Sequence, residues 1–396
     1  MPAAKTDPPR FEELLARAEA LVPILRERAP RSEQLRRLPD ETIADLHSSG
    51  LFRMLQPARV GGSELPFGAL CELTAMIGEG DGSTAWVLAN LAAHHWLLGM
   101  WPQQAQDEIW GESHDNLIGS ALIFPRGRAR RVPGGYRLSG RWPFSSGIDA
   151  ARWNMFGAMC VDEELGASEA RMLLLPASDY KIIDTWQVIG LGGTGSKDVE
   201  VEDAFVPDYR TLGADEIRGG PNPGSAVNPA PLYRLPAISL FGFAIAGVSL
   251  GIARSAIRHF SASTRHRLSA YTSRNLADFS TLQVHVAEAA ALSDAAEAVS
   301  QRDCAEAMRI TEAGIVPSLD QKARYRRDAA FAATLCTRAV DVLFTATGGG
   351  AIYERNPIQR AFRDAHAANA HFMLTWDVAG ALYGRVALGL PPDMPL

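Results

Sequence analysis

The hydrophobic period of this chain changes twice along its length, and that change restricts the fold more than any single motif does. From residue 9 to about 118 apolar residues recur at helical spacing, beginning with Phe11, Leu14, Leu15, Ala18, Leu21 and Val22 at i, i+3, i+4 and i+7. Asp40 is placed to cap a helix that Gly50 ends. Further helices are expected over about 67–79 and from Ser83 to about Met100, the latter carrying Trp86, Asn90, His94, His95 and Trp96. From about Leu117 the pattern becomes six short β-branched or alternating runs, within about 95 residues, which predict an antiparallel barrel or sandwich. Residues 211–235 are a Gly/Pro/Asn linker, after which long Ala-rich runs predict helices over 238–265, 277–309, 318–345 and 357–389. Four long helices with short links are the pattern of a four-helix bundle. The expected fold is α+β: an N-terminal helical domain (1–118), a β domain (119–215) and a C-terminal bundle (216–396).

A chain of 396 residues is long enough for two or three such units. Its net charge of −6 argues against nucleic acid or an anionic membrane as partner. The four cysteines (Cys71, Cys160, Cys304, Cys336) lie far apart without a CxxC or metal-ligand pattern, as expected of buried thiols in a reducing cytoplasm. The N-terminal residues contain no apolar run of signal-peptide type. The longest apolar stretch, near Ile238–Ile252, is interrupted by Gly242, Gly247 and Gly251 and is expected to be too short to span a bilayer. A soluble cytoplasmic protein with no metal is the expectation.

Gly190-Leu191-Gly192-Gly193-Thr194-Gly195 satisfies the dinucleotide-binding expression G-x-G-x-x-G. That chemistry requires the glycines to open a helix whose N-terminus meets the pyrophosphate. Here Val199, Val201 and Phe205 follow in strand alternation, so the glycines predict a turn between strands, with the Thr194 and Ser196 hydroxyls beside it.

The most distinctive stretch runs from Thr345 to His371. Gly348, Gly349 and Gly350 allow close backbone approach to a ligand. Pro357 suits the first turn of a new helix, which would carry Arg363, Asp364, His366 and His371. Gly348, Gly349, Pro357, Arg360, Arg363 and Asp364 together resemble the C-terminal pattern of the acyl-CoA dehydrogenase superfamily. VIGLGGTGSKDVEVEDAFVP, GRWPFSSG and LADFSTLQVHVAEAAA resemble further segments of that family in the right order, so the resemblance covers nearly the whole chain. Phe372 falls where those dehydrogenases often carry a catalytic carboxylate, and it cannot remove an α-proton.

These departures, with DGSTAWVLANLAAHHWLLGMWPQQAQDEIW, are similar to the two-component flavin monooxygenase branch, which includes the oxygenase components of 4-hydroxyphenylacetate hydroxylase and dibenzothiophene monooxygenase. The resemblance implies reduced flavin (FMNH2 or FADH2) supplied by a separate NAD(P)H:flavin reductase, addition of O2 at C4a, and hydroxylation of a small phenolic or heteroaromatic substrate. It also implies a homotetramer. By position it assigns catalysis to His94, Ser146 and His371, flavin contact to Phe144, Ser145, Ser146, Thr194, Ser196 and Gly348–Gly350, and substrate contact to His94, His95 and Trp86. Ser146 would accept a hydrogen bond from flavin N5–H. His371, with a pKa near neutrality, would protonate or polarise the reacting oxygen, and His94 would bond to the substrate hydroxyl. Ser145 and Ser146 alternate on a strand, so only one can face the flavin. Trp86, Trp96 and Trp142 are available to wall an aromatic pocket. The alternatives are an acyl-CoA dehydrogenase with a displaced base, an N- or S-oxygenating relative, and a non-catalytic flavin-binding protein.

Overall fold

The structure is a computed structural model that describes residues 8–162, 166–269 and 271–396. Five helices come first: α1 (Phe11–Leu35), α2 (Asp40–Ser49), α3 (Gly68–Gly78), α4 (Gly82–Leu98) and α5 (Gln103–Glu112). Eight strands follow, β1 (Ile118–Ala121), β2 (Gly127–Val132), β3 (Gly135–Ser145), β4 (Trp153–Asp162), β5 (Ala167–Pro176), β6 (Lys181–Ile183), β7 (Lys197–Pro207) and β8 (Thr211–Gly213). The C-terminal helices are α6 (Ala237–Thr264), α7 (Ser280–Glu312), α8 (Leu319–Thr347), α9 (Pro357–Asn369) and α10 (Trp376–Ala387).

The strands form one sheet in the order β6-β7-β3-β2-β4-β5-β8, with β1 also on β4. Its pairings are antiparallel except that β1 and β2 both run parallel to β4, which departs from the purely antiparallel expectation. The reason is local. A short 3-10 turn at Phe124–Arg126 joins β1 to β2 without reversing the chain, so the two behave as one interrupted strand beside β4. β3 carries register shifts between Leu138 and Gly140 and between Trp142 and Ser145, the second of which turns its end toward the helices.

α4 is the pivot of the molecule. Every one of its 17 residues is buried, as expected of a helix that is apolar all round. Asp81 caps it, accepting from the Thr84 amide at 2.9 Å.

Two expectations are corrected here. The helix expected over 357–389 is interrupted at 370–375, where tight turns (His371 N–H to Ala368 O at 3.1 Å, Leu374 N–H to His371 O at 2.7 Å) end α9 before α10 restarts. His371 therefore lies in a break, not on a helix face. The apolar run near Ile238 belongs to α6, whose 28 residues are long and apolar enough to cross a membrane. Its apolar window is 83% buried inside the protein, because α6 is the central helix against which α3, α4, α8 and α9 pack.

Candidate active site

Trp86, Asn90 and His94 recur every four residues on α4 and so share one face. The Asn90 side chain donates to the Trp86 carbonyl at 2.8 Å, fixing its own rotamer. His94 Nδ1 lies 2.6 Å from the Ile118 carbonyl at the start of β1. A carbonyl only accepts, so Nδ1 carries the proton and Nε2 of the neutral ring is left with a lone pair. That Nε2 is buried and has no hydrogen-bond partner among the described residues. Desolvation lowers the His94 pKa to about 4, so the ring is neutral at pH 7. Phe241 of α6 stacks near it, with ring centroids 6.5 Å apart. His95 is turned away. It accepts from Trp110 of α5 through Nδ1 (3.1 Å) and stacks on that indole, which places it in the core between α4 and α5. Trp96 donates to the Leu232 carbonyl and Trp142 to the Gly157 carbonyl inside the β core, so of the three tryptophans Trp86 alone borders His94's face.

A hydroxyl relay meets the upper end of that face. Trp86 Nε1–H donates to Ser146 Oγ at 3.0 Å, Ser146 Oγ is 2.7 Å from Ser196 Oγ, and Ser196 Oγ is 2.7 Å from Thr194 Oγ1. Thr194 donates to the Leu191 carbonyl at 2.9 Å. Each hydroxyl has one proton. Thr194 spends its own on Leu191, so Ser196 must donate to Thr194 and Ser146 must donate to Ser196. Ser146 is thus left with one free lone pair and no free proton. It can accept from a ligand but cannot donate to one. Ser145, on the opposite face of the strand end, is buried and donates to the Asn154 side chain at 3.0 Å. Phe144 just before it holds φ +68°, a left-handed conformation costly for an aromatic residue; the residue is 62% exposed and its ring makes a T-shaped contact with Trp186.

The break between α9 and α10 closes the third side. The edge of the His371 ring meets Trp86, with centroids 5.5 Å apart. The Met373 amide donates to His371 Nδ1 at 3.2 Å, which leaves Nε2–H as a free donor. Desolvation, then the charge of Arg326, lowers the His371 pKa to about 4 rather than leaving it near neutrality. Phe372 lies half exposed on the same break. His366 faces elsewhere, 2.9 Å from Asp341.

The Arg363-Asp364 pair fastens these parts together. Asp364 is buried and accepts from the Leu191 amide at 2.6 Å, holding Leu191 at φ +52° in the glycine-rich turn. Arg363 bonds the Ile189 carbonyl and, with Arg360, Glu33 of α1. Against desolvation by burial, Arg363 and Arg360 hold the Glu33 carboxyl below its usual range. At Asp364 the Leu191 amide and the charge of Arg363 offset burial only in part. Burial pushes its pKa to about 7, and the neighbouring Asp81 adds to the rise. The glycines that match G-x-G-x-x-G form a 3-10 turn leading into β7, as the strand alternation predicted. Gly348, at φ +68°, Gly349 and Gly350 follow α8, and a Cβ at any of them would meet open space. Phe241 and Arg326 carried no signal in the sequence. Each is one apolar or charged residue of a long periodic helix.

A cavity of about 140 Å³ lies behind the relay, lined by Arg37, Asp149, Gly147, Val87 and Thr194 among others. A larger groove of about 660 Å³ runs between α3, α6 and α7 and contains none of the residues above.

Residues 243–376 match the family described as acyl-CoA dehydrogenase, C-terminal domain. Over 96% of its length the chain is 35% identical to the FADH(2)-dependent resorcinol hydroxylase, oxygenase component, of Rhizobium sp., covering 95% of that protein. The crystal structure of the HsaA monooxygenase from M. tuberculosis superposes with a TM-score of 0.92 at 34% identity, covering 98% of this chain and 100% of that one. XiaF from Streptomyces sp., solved in complex with FADH2 and glycerol, superposes with a TM-score of 0.90 at 30% identity over 97% of each chain.

Proposed function

The chain belongs to the oxygenase components of flavin-dependent monooxygenases built on the acyl-CoA dehydrogenase fold, and from that premise we propose that it hydroxylates a phenolic or related aromatic ring. The observation that carries this reading is His94 Nε2, a buried lone pair on an aromatic-walled face with nothing to accept from. Reduced flavin, when bound, supplies the electrons that activate O2. FADH2 is the form named for the resorcinol hydroxylase and for the XiaF complex, and a separate NAD(P)H:flavin reductase would deliver it. A cytoplasmic homotetramer, with the units 1–118, 119–215 and 216–396 as its domains, completes the proposal.

The residues present suit a flavin ring beside β3. Ser146 offers only an acceptor there, which matches the N5–H of reduced flavin and would hold that proton in place, slowing loss of hydrogen peroxide. His371 offers only a donor, Nε2–H, to the oxygen being transferred. His94 accepts from the substrate hydroxyl. With a pKa of about 4 against about 10 for a phenol, full proton transfer to His94 before reaction would cost about 8 kcal/mol. His94 therefore orients and polarises the hydroxyl, and takes the proton only as positive charge develops on the ring. No Asp or Glu stands beside His371 and Phe372 in the sequence, which counts against removal of an α-proton from a thioester.

Mixing the protein with reduced FAD and a panel of phenols in aerated ¹⁸O₂ buffer tests the reading. One labelled oxygen atom per hydroxylated product is expected. Reduction of bound oxidised flavin by butyryl-CoA, with no oxygenated phenol, would overturn it.

A further inference from the structure

Three arginines lie close together on the first turns of α8, and they differ in one respect. Arg324 is paired with Glu306, and Arg327 donates to Asp328 at 2.6 Å. Asp328 also takes Arg302. Arg326 is only 2% exposed, yet no carboxylate lies within ion-pair distance of it among the described residues. Among the described residues its Nε has no partner and Nη1 bonds to the Met373 sulfur alone, and its guanidinium lies 5.7 Å from the centroid of the Phe372 ring. The Phe372 ring is within cation–π distance, but neither it nor a thioether supplies the anion that a buried guanidinium would pair with. Burying an unpaired charge is strongly unfavourable, and even with the pKa lowered to about 10 by desolvation this group stays charged at neutral pH.

Its place is informative. Phe372 and Met373 belong to the same break as His371, whose imidazole feels the Arg326 charge. The Met373 carbonyl packs 3.6 Å from where a Cβ would stand at Gly242, next to Phe241, the ring stacked on His94. Arg326 therefore lies against the break that carries His371, and that break in turn packs on α6 beside Phe241.

Resting on the reading of the His94 face as an aromatic oxygenase site, we infer that Arg326 is the receptor for an anionic group, a carboxylate in the first instance, carried by the aromatic substrate. A phenol held by its hydroxyl at His94 would then extend its acid side chain toward α8, where the guanidinium offers a two-pronged donor set. Arg326 is in this sense a specificity-determining residue.

Binding to the flavin-free protein, read by quenching of tryptophan fluorescence, tests this without turnover. The probes are 4-hydroxybenzoate, 4-hydroxyphenylacetate and 3-(4-hydroxyphenyl)propionate, each against its own amide. For the chain length that fits, the acid should bind about 10- to 100-fold more tightly than the amide, the range expected of a charge-assisted bond. Arg326→Gln should erase that difference while leaving the amide within about threefold of its original affinity, and Arg326→Lys should retain part of it. Affinity for reduced FAD should not change. Equal binding of acid and amide at all three lengths would overturn the assignment. So would a variant that loses reduced FAD instead of the acid, since the charge would then serve the flavin. Should Arg326→Gln fail to fold, the acid-to-amide ratio of the native protein and of Arg326→Lys decides. Acids that bind through Arg326 but are never hydroxylated would uphold the receptor and overturn the proposed oxygenation. Hydroxylation of neutral phenols, with no preference for acids, would do the reverse.

Discussion

Trp86 and His371 meet edge to face at 5.5 Å, one from the second turn of the buried helix α4 and the other from the break between α9 and α10. The same indole donates its N–H to Ser146. One side chain thus joins the three groups that the flavin, the oxygen and the substrate would meet: the Ser146 acceptor, the His371 donor and, two turns along α4, the His94 acceptor. The polarity of the set follows from proton counting. Ser146 has no proton to give because the relay ends on a carbonyl, and His371 has no lone pair to give because Met373 occupies Nδ1.

The relay predicts graded uncoupling. Ser146→Ala removes the free acceptor, and should raise hydrogen peroxide formed per hydroxylated product by about 5- to 10-fold, the worth of one net hydrogen bond of about 1 kcal/mol. Thr194→Val leaves Ser146 in place but removes the end of the relay, so Ser146 regains freedom to donate and peroxide should rise less. Peroxide and product are measured in single turnover with reduced FAD. Equal coupling in all three proteins would remove the relay from the mechanism.

His371 should act without titrating near neutrality. Its pKa of about 4 keeps Nε2–H as a neutral donor throughout the working range. The ratio of product to peroxide is therefore expected to be flat from about pH 6 to about pH 8.5. His371→Ala should lower it several-fold, and His371→Asn, which keeps an N–H donor, should recover part. A step in coupling near pH 6.5 that vanishes in His371→Ala would show that the imidazole works as a charged acid instead.

At His94, the expected loss depends on the substrate hydroxyl. His94→Ala should lower kcat/KM for the phenol substrate by about 10²-fold. The methyl ether of that phenol, which has no proton to donate, should bind wild type and variant alike. Competition binding with the ether against the phenol checks this. An equal loss for both compounds would mean that His94 only packs.

Asp364 predicts part of the stability profile between acid and neutral pH. Its folded pKa, about 7, is raised above the unfolded value near 3.9, so the folded state holds this proton more tightly. The stabilisation is fully present below about pH 4 and is lost as pH rises toward 7, at about 1 kcal/mol over the last unit, from about pH 6 to about pH 7. The native protein should therefore lose about 1–3 °C of Tm between about pH 6 and about pH 7 from this source. Asp364→Asn, which still accepts from Leu191, should lack that loss over the same interval. His94 and His371 act in the opposite sense: both held near 4, they favour the folded state above about pH 6.5 and withdraw that stability as pH falls toward 4, so the native protein is compared with the Asp364→Asn variant. Parallel slopes for the native protein and the Asp364→Asn variant in thermal scans would refute the role of Asp364.

Much of this was legible from local pattern. The two changes of hydrophobic period place the helices, strands and bundle, because side-chain periodicity reports which face each element buries. The spacing of Trp86, Asn90 and His94 puts them on one face of a helix before any coordinates are known. The glycine-rich turn is readable as a turn because strand alternation, not a helix, follows it. What the tertiary structure decided is of another kind. It set the parallel course of β1 and β2, the break that carries His371, the turning of His95 into the core, and the burial that raises Asp364 and leaves Arg326 without a counter-charge. It also set the direction of the relay, since Trp86, Ser146, Ser196 and Thr194 come from three separate segments. Each of these depends on which donors and charges are shut away from water together, and that is a property of long-range packing rather than of any window of sequence.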